Sequence, residues 1–217
     1  MAKKSPITSD DILTFYMDFV VEHQTKPYSI DEFCSFHSFK AKVFYTHFDS
    51  FKSVEKTVFK TLFDNSVDVL LESDEFVTFD NKNKLISLYF TFFENLTLNK
   101  EYVQFVLKGF ENKLKVFSVF SELKKSFKNF INVIELDTFI LNVDGLENIQ
   151  KKSIKEVAWF QLLLTIEFWL SDTSDSFEKT DIFIEKSINT SFDLLDNTFL
   201  KSVIDLGKFL YKERVKS

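Results

Sequence analysis

Glycine and proline are scarce in this 217-residue sequence, which holds 3 Gly and 2 Pro. Average usage would supply about 15 Gly and 11 Pro. Sandwiches, barrels and doubly wound sheets turn roughly every ten residues, and their turns consume both residue types. The scarcity excludes these folds and a Gly-rich phosphate loop, and it favours helices joined by short polar connections. We therefore predict an all-α fold.

Cysteine and long apolar runs are also lacking. The single cysteine, Cys34, has no partner for an intramolecular disulfide, so a reducing compartment fits and we expect a cytoplasmic protein. The first residues, MAKKSPITSDD, turn acidic before any apolar stretch begins, unlike a secretion signal. The most apolar stretch, residues 157–170, is interrupted by Gln161 and Glu167. It is shorter than the ~20 residues that cross a bilayer, so we expect no membrane span.

Basic residues are outnumbered, with 27 Lys and Arg against 33 Asp and Glu. Arg214 is the only arginine, so the chain lacks the bidentate fork that Arg offers to guanine or phosphate. When the chain is divided into residues 1–35, 36–60 and 61–217, only the second range is net positive, with five lysines against two acids. An anionic partner is therefore expected to bind this segment.

The first part of the chain has the periodicity of an amphipathic helix. We expect Ser9 or Asp10 to cap it and Pro27 to follow its end. Its apolar side chains recur with the spacing i, i+3, i+4, i+7 and i+8. They are Ile12, Phe15, Tyr16, Phe19 and Val20.

Two short helices around a turn are predicted next. Residues 29–32 have capping-box spacing and start a helix that buries Ile30, Phe33 and Cys34. A further helix runs from about residue 40 to 48, and the pair has helix-turn-helix proportions. A longer helix follows, from about residue 51 toward 71, with Asp49 or Ser50 as its cap.

The remaining residues predict a bundle of helices. A polar stretch, residues 72–84, is expected to be the main connection, and Asp144-Gly145 marks a loop. The predicted helices cover about 85–96, 100–110, 114–136, 146–170, 177–195 and 198–212.

The most specific motif is Phe44-Tyr-Thr-His-Phe-Asp-Ser50, at a fixed distance from Ser29-Ile-Asp-Glu-Phe-Cys34. Together these residues resemble the TetR family of one-component bacterial repressors. Residues 44–48 correspond to the family's Leu-Tyr-x-His-Phe, and Ser29 corresponds to the Thr that starts the family's second helix. The resemblance implies a three-helix helix-turn-helix DNA-binding domain over residues 1–60. It also implies a larger helical bundle for ligand binding and dimerisation over residues 61–217.

Six side chains are candidates for contacts with double-stranded DNA. Exposed Lys40 and Lys42 on the third helix can neutralise phosphates or reach base acceptors. Tyr45 and His47 can hydrogen-bond phosphate oxygens. The alternative interpretation is a solvated lysine face, with Tyr45 and Phe48 in the core. The candidates are Ser29, Lys40, Lys42, Tyr45, His47 and Lys52.

Several residues depart from the family pattern. Ser38 stands where the turn Gly is usual, and Ser adopts the left-handed conformation only at some cost. Phe51 stands where the family has Lys, so Lys52 is the candidate substitute. Phe39 is larger than usual, and the first helix is acidic. These departures favour an alternative, a TetR-fold protein that no longer binds DNA and carries an apolar ligand or lipid.

Phenylalanine, in contrast, is abundant, with 29 residues. The resemblance places an effector pocket in the C-terminal helices. Phenylalanine lining without a prominent basic residue fits a small apolar ligand better than an anionic one. The alternative is that each ring is ordinary core. The candidates are Phe90, Phe93, Phe105, Phe117, Phe120, Phe127, Trp159 and Phe168.

The resemblance also implies a homodimer. The pairing helices would be those at about 155–170 and 177–195, and a stable interface buries more than ~1,000 Å². Glu167 interrupts the apolar sequence of the first of them. Its carboxylate is either a rim residue or a buried polar anchor for a ligand or a subunit.

Side chains suited to catalysis or metal binding are few. All three His lie within residues 23–47, so the larger C-terminal part has neither His nor Cys for nucleophilic or general-base work. Cys34 and His37 share a helix face, with His47 further along, but structural zinc prefers four ligands. We expect neither an enzyme nor a metal site, and no cofactor.

Two function classes therefore remain open. The first is a dimeric, ligand-responsive regulator whose recognition helices match half-sites ~34 Å apart. The second is the apolar-ligand or lipid carrier. The orientation of Lys40, Lys42 and Lys52 is the feature that separates them.

Overall fold

The computed structural model of the protein describes residues 6–107, 118–134, 136 and 147–196. The predicted all-α fold is confirmed, and no strand occurs in this part of the chain. The helices are α1 (Ser9–His23), α2 (Ile30–Phe36), α3 (Ala41–His47), α4 (Phe51–Leu71), α5 (Asp74–Thr78), α6 (Asn81–Leu98), α7 (Lys100–Val106), α8 (Ser121–Val133), α9 (Glu147–Ser171) and α10 (Glu178–Asp196), with a 3₁₀ turn at Asp175–Phe177.

The chain forms two compact units. The first is drawn from Met1–Val69 and Thr91–Phe127, and the second from Leu70–Phe90 and Lys128–Ser217. Within the described residues, no helix combines the length and apolar character needed to cross a bilayer.

The helix-turn-helix of the first unit is built around Phe33, which is fully buried. Its ring meets those of Tyr16, Phe44 and Phe51 edge-on, with centroids 5.6–6.2 Å apart. Edge-to-face aromatic pairs contribute about 0.5–1.5 kcal/mol each beyond the burial of their area. Helices α2 and α3 have seven residues each, too few to be stable alone, so this aromatic packing holds them in place.

Polar caps fix where these helices begin. The Thr8 side chain accepts a hydrogen bond from the Asp11 amide at 3.1 Å, and Asp11 accepts one from the Thr8 amide at 2.8 Å. The predicted caps Ser9 and Asp10 are therefore wrong by one or two residues, because this reciprocal capping box selects Thr8. Ser50 caps α4 as predicted, accepting a hydrogen bond from the Ser53 amide at 3.3 Å.

A second layer of the first unit is also aromatic. Phe59 of α4 meets Phe120 edge-on at 4.9 Å. Phe63, one turn further along α4, meets Phe92 of α6 at 5.4 Å and Phe127 of α8 at 6.0 Å. All five rings are buried, so aromatic packing continues along α4 into this layer.

The predicted polar connection over residues 72–84 is wrong in part. It contains the short helix α5, and α6 already begins at Asn81. Burial of Phe76 accounts for α5, since its ring packs near Phe130 within the second unit. One apolar side chain in a polar stretch is thus enough to dock a single helical turn.

Helices α9 and α10 of the second unit are joined by a tightly bonded turn. The Asp172 carboxylate accepts hydrogen bonds from the amide and hydroxyl groups of Ser174 and Thr180, at 2.6–2.9 Å. Desolvation by burial acts to raise the pKa of Asp172, but the four hydrogen bonds together outweigh it and lower the pKa to about 2. Ser176 and Phe177 both have positive φ, so this network holds a strained turn. The predicted helix at 198–212 lies outside the described residues.

Candidate functional site

The turn between α2 and α3 keeps helix-turn-helix geometry without glycine. Ser38 has φ of 59°, so it adopts the left-handed conformation in place of the usual glycine. The Phe39 amide donates to the Cys34 carbonyl at 2.9 Å and closes the turn. A non-glycine residue in this conformation costs about 1–2 kcal/mol. The aromatic core around Phe33 offsets that cost and retains the turn.

Helix α3 presents the candidate DNA contacts to solvent. Lys40, at its start, and Lys42 are both exposed. Tyr45 is 59% exposed, so the interpretation of Tyr45 as a core residue is wrong. Phe44 and Phe48 are buried, and for Phe48 this agrees with the alternative interpretation. The helix therefore has an apolar face against Phe33 and a free face with lysine and tyrosine side chains.

His47 is exposed at the end of α3 and also has a local contact. Its Nε2 lies 3.2 Å from the Ile7 carbonyl oxygen, just before α1. This contact links the end of the candidate recognition helix to the start of the first helix. A hydrogen bond from His47 to a phosphate would have to use Nδ1 or displace this contact.

Ser29 and Lys52 occupy different surroundings. The Ser29 hydroxyl caps α2 by accepting a hydrogen bond from the Glu32 amide at 3.2 Å, and Glu32 accepts one from the Tyr28 amide at 3.1 Å. These bonds engage the backbone amides of Tyr28 and Glu32, which are the donors that a bound phosphate would otherwise use. Lys52 is exposed in the first turn of α4. Phe51 turns inward instead, where its ring stacks on Tyr16.

A buried polar cluster that was not predicted from the sequence lies between α1 and α4. Glu55 of α4 is 4% exposed; its Oε1 accepts a hydrogen bond from the Tyr16 hydroxyl at 2.7 Å and pairs with the Lys26 ammonium. Burial raises the pKa of Tyr16 well above its usual value, and the Glu55 charge adds to this. The sequence does indicate that Glu55 is buried, since it lies one turn from both Phe51 and Phe59 on the apolar face of α4.

Helix α7 contributes a tyrosine to the same cluster. Tyr102 is buried, and its ring meets Tyr16 edge-on at 6.3 Å. Within the described residues its hydroxyl has no hydrogen-bond partner. Burial and the Glu55 charge raise its pKa well above the usual value. We name Tyr16, Lys26, Glu55 and Tyr102 the Glu55 cluster.

Cys34 of α2 and His37, which follows the helix, are packing residues. Burial raises the pKa of the Cys34 thiol to about 11. His37 stacks on Phe15 with centroids 4.5 Å apart, and burial lowers its pKa, against the opposing charge of Asp18. No group of three His, Cys, Asp or Glu side chains in the described ranges is placed to hold a metal ion.

The candidate effector residues occupy several environments. In the first unit, Phe93, Phe120 and Phe127 are buried in aromatic packing, and Phe105 is half-buried. In the second unit Trp159 is buried, and Phe90 and Phe168 are half-buried. Phe168 stacks on Phe183 of α10 at 4.6 Å. Phe117 lies outside the described residues.

Comparison with known proteins identifies the bundle. Residues 84–210 match the family model described as the tetracyclin repressor-like C-terminal domain, and this match covers more than half of the chain. The chain belongs to the tetracyclin repressor-like family. No curated protein matches its sequence. The match starts within α6 and does not include α1 to α4.

The tetracyclin repressor-like domain exposes apolar side chains on its last two described helices. Val157, Phe160 and Leu164 recur at i, i+3 and i+7 on α9, and Phe160 is 59% exposed. Ile182 of α10 is exposed as well. Glu167 is exposed, which agrees with the rim interpretation. We name Val157, Phe160, Leu164 and Ile182 the α9–α10 face.

A groove that the sequence did not predict lies between α1 and the α6–α7 junction of the tetracyclin repressor-like chain. Its volume is about 410 Å³, and polar and apolar groups line it in similar proportion. None of the candidate effector residues lines it. The lining residues are Met17, Asp18, Val21 and residues 97–102.

Proposed function

We propose that this protein is a dimeric, ligand-responsive transcription regulator in the cytoplasm. Residues 1–60 bind double-stranded DNA, and residues 61–217 bind a small apolar effector and form the dimer. The main support for this proposal is the solvent-exposed face of α3, where Lys40, Lys42 and Tyr45 project from the helix-turn-helix. Such a helix enters the major groove, with lysines available to phosphates and base acceptors. Lys52 and His47 would extend the contact along the DNA backbone, with Ser29 at its edge.

The decisive experiment is binding of the protein to its own upstream DNA over a series of salt concentrations. Loss of each phosphate contact lowers the slope of log K against log salt by about 0.9. We expect Lys40→Ala/Lys42→Ala to abolish specific binding and reduce this slope. The control, Lys125→Ala/Lys179→Ala, removes the same charge from exposed positions on α8 and α10 and should bind like the wild type.

Homodimerisation through α9 and α10 is part of the proposal. Exposed apolar side chains at helical spacing are unfavourable in water, and the α9–α10 face supplies them on the helices that the family uses for pairing. A second copy would cover this face by a two-fold, self-complementary contact. The dimer would then set the spacing of the two recognition helices.

The apolar-ligand or lipid carrier is the second candidate function. Two observations favour it: Phe51 packs inward where the family has Lys, and the amides at the start of α2 are already engaged by Ser29 and Glu32. No DNA binding at low salt, together with a lipid that copurifies in native mass spectrometry, would select the carrier. The candidate effector residues are the same in both functions.

A further inference from the structure

Glu55 is a buried carboxylate whose partners come from neighbouring elements. Its Oε1 accepts the Tyr16 hydroxyl of α1 and pairs with Lys26, on the connection between α1 and α2. Lys26 is the one partner that reaches solvent, with its side chain 40% exposed. Since a buried carboxylate stripped of its cation is strongly unfavourable, this geometry fixes α1 and the start of α2 against α4.

Helix α7 contacts this cluster from another side. Tyr102 packs edge-on against Tyr16, the residue that donates to Glu55. It also contacts Phe59 on the next turn of α4, with ring centroids 6.4 Å apart. A displacement of α7 therefore changes the position of Tyr16, and with it the hydrogen bond to Glu55. The unpartnered Tyr102 hydroxyl, buried within the described residues, is a donor that a displaced α7 could bring to the carboxylate.

We propose that Glu55 is the positioning residue through which α7 sets the orientation of the helix-turn-helix. The inference rests on the proposed DNA-binding function and names a route for its regulation. Helix α7 lies within the matched C-terminal domain, whereas Tyr16 and Lys26 lie within residues 1–60. Within the first compact unit, the Glu55 cluster thus joins a helix of the matched domain to residues 1–60, through the ring contact between Tyr102 and Tyr16.

The test measures orientation directly and needs no effector. Spin labels on Thr46→Cys of α3 and Gln104→Cys of α7 report the distance between these helices, since both positions are exposed. Cys34 is buried with a raised thiol pKa and can stay in place. Labelled chains are diluted with unlabelled protein, so that the electron–electron distance within one chain is read.

Glu55→Gln keeps the size of the side chain and an oxygen for Tyr16, but removes the charge that Lys26 needs. We expect it to shift and broaden the distance distribution, and to weaken DNA binding about tenfold. The control is Asp64→Asn, which breaks the half-exposed Lys60–Asp64 pair on the same helix and should leave the distance unchanged. Tyr102→Leu should broaden the distribution, whereas Tyr102→Phe, which keeps the ring contact, should restore a single distance.

The outcomes separate the proposal from general destabilisation. A wild-type distance distribution in folded Glu55→Gln, or an equal change in Asp64→Asn, would overturn the positioning role. If circular dichroism shows that Glu55→Gln does not fold, Tyr16→Phe removes one hydrogen bond at the same oxygen and carries the same expectation. In another outcome, the wild type fails to bind DNA while the Glu55 and Tyr102 variants still change the spin-label distance as expected. That result would overturn the proposed function and support the positioning role.

Discussion

The ring of Phe51 stacks on that of Tyr16, with centroids 5.2 Å apart and planes inclined by 23°. The family pattern has lysine at this position, at the start of the fourth helix. An aromatic residue here extends the core around Phe33 and supports the side chain that donates to Glu55. The cation at this end of α4 is supplied one residue later, by Lys52.

Replacement of Phe51 by alanine should destabilise the helix-turn-helix. The ring is half-buried among three aromatic residues, so we expect a loss of about 2 kcal/mol in the free energy of unfolding. Urea unfolding followed by circular dichroism measures this. Phe36→Ala serves as the control, because Phe36 is mostly exposed and should cost clearly less. Equal losses for the two variants would contradict the core role of Phe51.

Glycine at position 38 should stabilise the protein. Ser38 has φ of 59°, and glycine adopts this conformation without a Cβ penalty, so we expect Ser38→Gly to gain about 1 kcal/mol. Thermal unfolding provides the measurement. The control, Ser35→Gly, places glycine inside α2 and should cost about 1 kcal/mol instead. A loss at position 38 would show that the Ser side chain has a bonding role there.

Acid should weaken the turn between α9 and α10 through Asp172. Its pKa of about 2 in the folded protein lies below the usual carboxyl value, so its contribution is complete near neutral pH. That contribution is lost as the pH falls from about 4 toward 2. Unfolding free energies across this range should decline more steeply for the wild type than for Asp172→Asn. Matching pH profiles would refute the assignment.

The same carboxylate should matter at neutral pH. Asp172→Ala removes the acceptor for two amides and two hydroxyls, and we expect a loss of about 2 kcal/mol, at the upper end for a helix cap. Urea unfolding at pH 7 tests this. Asp175→Ala is a neighbouring control with an exposed side chain and should have little effect.

A charge on the α9–α10 face should break the proposed dimer. Phe160→Glu places a carboxylate on that face, so analytical ultracentrifugation should show a shift toward monomer. Val133→Glu puts the same charge on an exposed apolar position of α8 and should leave the mass unchanged. Dimers that survive Phe160→Glu would place the interface elsewhere.

Local patterns predicted most of the helix-turn-helix. Apolar residues with helical spacing, together with the Ser29 and Ser50 caps, locate α1 to α4, because these signals lie within a few residues of each other. The cap of α1 was missed since Thr8, Ser9 and Asp10 all suit that role. Only the reciprocal bond with Asp11 decides among them, and that depends on side-chain geometry.

The Glu55 cluster could not be predicted in the same way. The apolar neighbours of Glu55 on α4 indicate burial, but the Tyr16 hydroxyl lies 39 residues away in sequence. Similarly, buried Phe120 and half-buried Phe105 look alike in sequence, because helical periodicity does not show how deeply each ring is buried. Their proposed role in effector binding remains a prediction.

The position of Phe33 has a consequence for how this part of the protein opens. Its ring contacts α1 through Tyr16, α3 through Phe44 and α4 through Phe51. No one of these helices can detach without exposing that ring to water. The amide hydrogens of α1, α2 and α3 should therefore exchange with solvent deuterium at one common rate, as a single cooperative opening unit.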